Sequence, residues 1–137
     1  MTDNGRVVAD FLKAWSRRDP DELAAFFTED AVWEDGVPSE PIRGKKAIRE
    51  KLARYARIIT ATEIEIVSQV VQGSLVMHER IDRVTLKGRR VEARVVGVFE
   101  VERGKIKANR DYWNPSAYFP PAQARSDADA PRAPLPS

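Results

Sequence analysis

From Thr62 to Trp113 the hydrophobic period of this chain is two, and that restricts its fold more than any other feature. Residues two apart in an extended chain point to the same face. Four stretches have strand length and strand chemistry: Thr62–Gln72, Leu75–Leu86, Arg90–Glu102 and Lys105–Trp113. Between them lie the turn signals Gln72-Gly73-Ser74, Lys87-Gly88-Arg89 and Arg103-Gly104-Lys105. Connections this short favour antiparallel neighbours.

The residues before Thr60 supply helices to cover such a sheet. Thr2, Asp3 and Asn4 are suitable caps for a first helix, whose apolar stripe is Val7, Val8, Phe11, Leu12 and Trp15. Asp19-Pro20 restarts the chain with an N-cap and a first-turn proline, and Leu23, Ala24, Phe26 and Phe27 form the buried side of a second helix. Ala31-Val32-Trp33 reads as a short strand, followed by a loop from Gly36 to Gly44. A third helix is predicted from Lys45 to Ile58, with Ala47, Ile48, Leu52, Tyr55 and Ile59 inward. Helices first and strands later predict an α+β fold, with the helices packed on one face of a curved sheet. The domain is expected to span residues 1–117. A Pro/Ala-rich tail, 118–137, is expected to be disordered, although Tyr118 and Phe119 have the chemistry to dock.

Composition excludes several functions. With 137 residues the chain has room for one hydrophobic core. Lys and Arg number 23 against 21 Asp and Glu, with signs interspersed and no aromatics threaded among the bases, which argues against nucleic-acid binding. There is no cysteine, so no thiolate chemistry, and the single His78 excludes a multi-histidine zinc site. No stretch approaches the about 18 apolar residues of a membrane span. The N-terminus lacks a basic-then-apolar signal, so the expected location is the cytoplasm.

The chemistry is concentrated in Leu75–Leu86. Val76, His78, Arg80, Asp82, Val84 and Leu86 share one strand face. A charged pair among aliphatic neighbours is costly unless each charge has a partner. Asp111 lies on another strand-like stretch, Ile106 to Trp113. Arg cannot lose its proton, and its planar fork holds two carboxylates at fixed angles. In one apolar cavity, desolvation and a like charge raise one carboxyl pKa while hydrogen bonds hold another down, which yields an acid and a base at neutral pH. The same pair also reads as a structural ion pair, Asp111 alone as a structural carboxylate, and His78 as a core or pocket-wall histidine. Trp15, Trp33 and Trp113 read as core or pocket wall.

On Glu79-Arg80-Ile81-Asp82 and Arg110-Asp111-Tyr112, with Gly97-Val98-Phe99 and Gly104-Lys105-Ile106 between them, the chain resembles the limonene epoxide hydrolase family. That family belongs to the cone-shaped superfamily of nuclear transport factor, ketosteroid isomerase and SnoaL-like polyketide cyclase proteins. The resemblance covers roughly Gly5 to Trp113. It implies a curved mixed or antiparallel sheet forming a cone, with three helices on its concave side. It also implies one-step hydrolysis of an apolar epoxide, with Asp111 as the base that activates water, Asp82 as the acid and Arg80 as the bridge between them. No cofactor, metal or covalent intermediate is implied. Phe11, Trp15, Trp33, His78 and Trp113 are expected to line the substrate pocket, and homodimerisation through the outer sheet face is expected by the same resemblance.

The resemblance is incomplete. Where the family grips water with a Tyr and an Asn two residues later, this chain has Trp33 and Asp35. An indole has one donor and no acceptor. Asp35 adds a third carboxylate, expected to raise at least one pKa in the cluster or draw in a proton. The segment Val32 to Gly44 is also similar to the ketosteroid isomerase loop that carries the base, which places Asp35 on that base. The oxyanion-hole positions of that family fall on Phe11 and near Val96, neither of which donates a hydrogen bond. Three readings are therefore carried forward: an epoxide hydrolase, an isomerase or cyclase using Asp35, and a non-catalytic small-molecule-binding or dimerisation domain.

Overall fold

A computed structural model describes residues 3–114; the expected tail and the docking of Tyr118 and Phe119 lie outside the described residues. Three helices, α1 (Asp3–Ala14), α2 (Pro20–Ala24) and α3 (Lys45–Ile58), lie against a six-stranded curved sheet. The strands are β1 (Phe27–Asp35), β2 (Ile42–Arg43), β3 (Ile59–Gln72), β4 (Leu75–Leu86), β5 (Arg89–Glu102) and β6 (Lys105–Trp113), in the order β2-β1-β6-β5-β4-β3. The expected α+β class is the observed one. β3 to β6 form an antiparallel meander, while β1 runs parallel to β6 and makes the sheet mixed.

Local chemistry sets the boundaries. Asp19 caps α2 by accepting from the N–H groups of Asp21 (2.9 Å) and Glu22 (3.4 Å), with Pro20 in the first turn. Lys87-Gly88 and Arg103-Gly104 take positive φ at both positions, the backbone that a two-residue hairpin loop requires. Several boundaries differ from the sequence expectation. α1 ends at Ala14, and Trp15 begins a short 3-10 turn. α2 stops at Ala24, and Phe27 opens β1 instead of lying on the helix. β1 is longer than Ala31–Trp33, the following loop contains β2, and β3 starts at Ile59. For β1, β2 and β3, pairing along a neighbouring strand, which no local pattern records, extends or creates the element.

β3 carries a bulge between Ile66 and Ser68. Thr62, Ile64 and Ile66 face inward before it; Gln69 and Val71 face inward after it. The core between helices and sheet is aromatic at its centre. Phe11 meets Phe27, Phe26 and Phe99 edge-on, with centroids 5.2, 5.6 and 6.3 Å away. Phe99 is fully buried. Truncating Phe99 to Ala is expected to remove about 3–5 kcal/mol of stability by leaving a cavity among those rings; urea unfolding of the two proteins checks it.

Candidate active site

β4 presents His78, Arg80 and Asp82 to the helices on alternate positions, as period two requires. β5 pairs Arg80 with Val95 and His78 with Gly97; β6 then pairs Gly97 with Asp111. The two short hairpins therefore bring Asp111 beside Arg80, although the two residues are far apart in sequence. Arg80 is 6% exposed and Asp111 4%.

The guanidinium bridges both carboxylates. Its Nε donates to Asp82 Oδ1 at 2.8 Å and its Nη1 to Asp111 Oδ1 at 3.2 Å. Asp111 also accepts from Trp33 Nε1 (3.2 Å, on Oδ2) and Asn109 Nδ2 (3.1 Å, on Oδ1). Burial by itself disfavours a charged Arg80, but Asp111 and then Asp82 more than reverse this and hold the guanidinium protonated. For Asp82 the balance falls the other way. Burial outweighs the charge and hydrogen bonds of Arg80, so its carboxyl titrates above the usual carboxylate range.

Asp35 lies directly across the β1–β6 pair from Asp111. It accepts from Trp113 Nε1 at 3.1 Å and from the Tyr55 hydroxyl of α3. Burial, with the Asp111 charge second, raises its pKa against those two bonds and the Lys51 ammonium. The rise in pKa that the third carboxylate was expected to cause is present at Asp35. Lys51 is 1% exposed, lies over the Tyr55 ring at 5.0 Å from its centroid, and has its pKa pushed down to about 8 by burial.

Asp35, Tyr55, Arg80, Asp82 and Asp111 line a cavity between the helices and the sheet. Asp35, Arg80, Asp82, Asn109 and Asp111 form its polar floor. Phe11, Leu12 and Trp15 line it from the α1 end; Ile58, Ile59, Ile64, Val84, Leu86 and Val95 supply aliphatic walls. Of the five residues expected to line the pocket, Phe11, Trp15, Trp33 and Trp113 do so. His78 does not: it is buried behind Arg80, against the Phe99 ring, and the correction follows from the guanidinium filling the space in front of it. Phe11 reaches the cavity from the core and Val96 is exposed on the outer face, so neither supplies an oxyanion donor.

Three site residues escaped the sequence reading of the chemistry. Asn109 stands two before Asp111 on the same strand face. Tyr55 was placed on the inner stripe without its hydroxyl being given a partner. Lys51, three after Ile48 and four before Tyr55, falls on that stripe too, but lysine there is ordinarily read as solvated. Among the described residues no group of three or more His, Cys, Asp or Glu is placed to hold a metal ion, and no helix is long and apolar enough to cross a membrane.

A family model for the SnoaL-like domain matches residues 8–109, about three-quarters of the chain. The chain belongs to the SnoaL-like domain family. It is 34% identical to Epoxide hydrolase EphG of Mycobacterium tuberculosis over 108 residues, 79% of this chain and 71% of that protein. The solved structure of an M. tuberculosis LEH-like epoxide hydrolase superposes with a TM-score of 0.74 at 33% identity, covering 82% of this chain and 83% of that one. SalBIII, an epoxide hydrolase/cyclase-like enzyme in pyran ring formation in polyether salinomycin, superposes with a TM-score of 0.74 at 25% identity, covering 81% of this chain and 90% of that one. The likeness to limonene epoxide hydrolase within the cone-fold superfamily thus holds at family level.

Two measurements check the electrostatics and packing of this site. Gly97 has no side chain where a Cβ would stand 2.7 Å from both Arg80 Nη1 and His78 Nε2. Gly97→Ala is expected to push the guanidinium out of hydrogen-bond reach of His78 or Asp111, which a crystal structure of the variant would show. For Lys51 the folded pKa of about 8 lies below the ordinary lysine value of 10.5. A depressed lysine destabilises the fold at pH below its folded pKa and ceases to do so above its unfolded one. Lys51→Met is therefore expected to gain stability over wild type at pH 7, with the gain shrinking as pH rises through about 8 towards 10.5; urea midpoints at the two ends of that window measure it.

Proposed function

We propose that this protein is an epoxide hydrolase that adds water to an apolar epoxide in one step. The observation that carries the reading is Arg80 spanning Asp82 and Asp111 on the floor of an otherwise aliphatic and aromatic cavity. Asp111 takes a proton from water as the water oxygen attacks an epoxide carbon. The C–O bond breaks, and the departing oxygen takes the proton of Asp82, the carboxyl whose pKa burial raises. Asp111 then carries the proton taken from water while Asp82 has given its own to the new hydroxyl, and exchange with solvent through the cavity mouth restores both. Atoms balance as epoxide plus water giving a vicinal diol. Arg80 stays charged throughout and fixes the angle between the two carboxyls. The aliphatic walls suit a substrate without charge. The kinship with EphG and with the LEH-like structure supports the reaction class.

Asp35 favours a second reading of the same floor. Its raised pKa and its bonds to Tyr55 and Trp113 make it a second carboxyl in reach of a bound substrate. A substrate carrying its own hydroxyl would then close a ring by opening the epoxide internally. The likeness to SalBIII supports this alternative. The protein is further read as a homodimer. Val70, 67% exposed, with Met77, Val96 and Tyr112, forms an apolar patch on the outer sheet face, and a second copy is the occupant proposed for it.

The test is diol formation from a panel of apolar epoxides in water labelled with heavy oxygen. One-step addition places the label in the diol in the first turnover, whereas an ester intermediate would deliver unlabelled carboxylate oxygen. Asp111→Asn is expected to reduce turnover by at least about 100-fold, as loss of a general base does. Because the Asp82 pKa is raised, turnover is expected to fall on the alkaline side as Asp82 ionises. Turnover that survives in Asp111→Asn, or rises as Asp82 ionises, sinks the reading. If Asp35→Asn abolishes turnover and Asp111→Asn does not, the ring-closing alternative takes its place.

A further inference from the structure

Behind the cavity floor a line of hydrogen bonds runs from α1 to Asp111. Gln69 Nε2 donates to the Gly5 carbonyl (3.3 Å); Gln69 Oε1 lies 3.2 Å from His78 Nδ1; His78 Nε2 lies 3.1 Å from Arg80 Nη1; Arg80 Nη1 donates to Asp111 Oδ1. Each link has one possible direction. Arg80 can only donate, so His78 Nε2 carries no proton. A neutral imidazole then has its proton on Nδ1, and this points at an amide oxygen that can only accept. With its oxygen so used, the Gln69 amide turns its NH₂ to the Gly5 carbonyl. The β3 bulge is what places Gln69 on the inner face opposite His78.

We propose that His78, held by Gln69, is a positioning residue that aims the Arg80 guanidinium at Asp111. Arg80 Nη1 has two hydrogens. One serves Asp111; the other is buried, and His78 is the acceptor that satisfies it. Remove that acceptor, or protonate it, and the planar guanidinium is free to swing away from Asp111 about the torsions of its aliphatic stem. The groups facing the imidazole are Gln69 from β3, Arg80 on its own strand, Phe99 and the bare Gly97 from β5, and Asp111 from β6. Burial and the Arg80 charge, opposed only by Asp111, press the His78 pKa down to about 4, so the accepting form persists through the neutral range. For the reaction itself the proposal rests on the epoxide hydrolase reading; the geometry it asserts does not.

The chain has a single histidine, so one imidazole signal reports on the whole line. Nuclear magnetic resonance on isotope-labelled full-length protein is expected to show the proton on Nδ1. It is also expected to show a contact between an Arg guanidinium proton and the imidazole, and no titration near the ordinary histidine value of about 6.5. A proton on Nε2, or a titration near that value, overturns the proposal whether or not any epoxide is hydrolysed. His78→Phe is expected to broaden the guanidinium signal and lower kcat about 100-fold with KM little changed. His78→Gln, which keeps an acceptor, should recover most of that loss. Gln69→Glu guards against a misfolded His78 variant. A carboxylate at position 69 favours the imidazolium, so the His78 titration and the acid-side fall in kcat/KM should move to higher pH together. A fall that stays in place while the His78 titration moves, or a folded His78→Phe with undiminished kcat, overturns the positioning role.

Discussion

A buried guanidinium is the constraint around which this molecule is arranged. An unpaired charge out of water is among the most destabilising things a fold can contain. Arg80 is paired on both sides, by Asp82 on its own strand and by Asp111 two strands away. Its remaining inward donor meets a histidine, and the strand beside it gives up a side chain at Gly97 to make room. Trp33 and Asn109 complete the coordination of Asp111. The hairpin register, the missing Cβ and the choice of donors all answer the same requirement.

Asp35 and Lys51 repeat the theme less completely. Three carboxyls, Asp35, Asp82 and Asp111, face two cations, Arg80 and Lys51, in a space with little water. The two cations are not equivalent. Arg80 keeps its charge, while Lys51 is pressed down to about 8. Burial raises the pKa of both Asp35 and Asp82, and the Asp111 charge adds to the rise at each.

The sequence made the meander legible because its turns are short and its period is unbroken in β4 and β5. Arg80 and Asp82 were legible for the same reason, since charges interleaved with Val76, Val84 and Leu86 have few uses. Asp111 stood out on its own strand-like stretch, but its place beside Arg80 did not, because register across two hairpins is not written in local spacing. Tyr55 and Lys51 were missed as chemistry because an α3 stripe specifies burial and not which atom a polar tip meets. His78 read as either a core or a pocket-wall histidine for a comparable reason. Strand alternation put it on the inner face, but only packing decides that Arg80 lies in front of it. β1 was underestimated because its length comes from pairing in parallel with β6.

The bulge in β3 also divides that strand by parity. From Thr62 to Ile66 the even-numbered residues face inward; from Gln69 on, the odd-numbered ones reach the interior. One strand thus contributes to two layers that a regular ladder would keep in step. Exchange of one residue type for another at Val67 or Ser68 leaves this parity intact, whereas loss of a single residue there does not. It would bring Val70 to the place of Gln69 and send the amide out to solvent. In this stretch of chain, length carries information that residue identity does not.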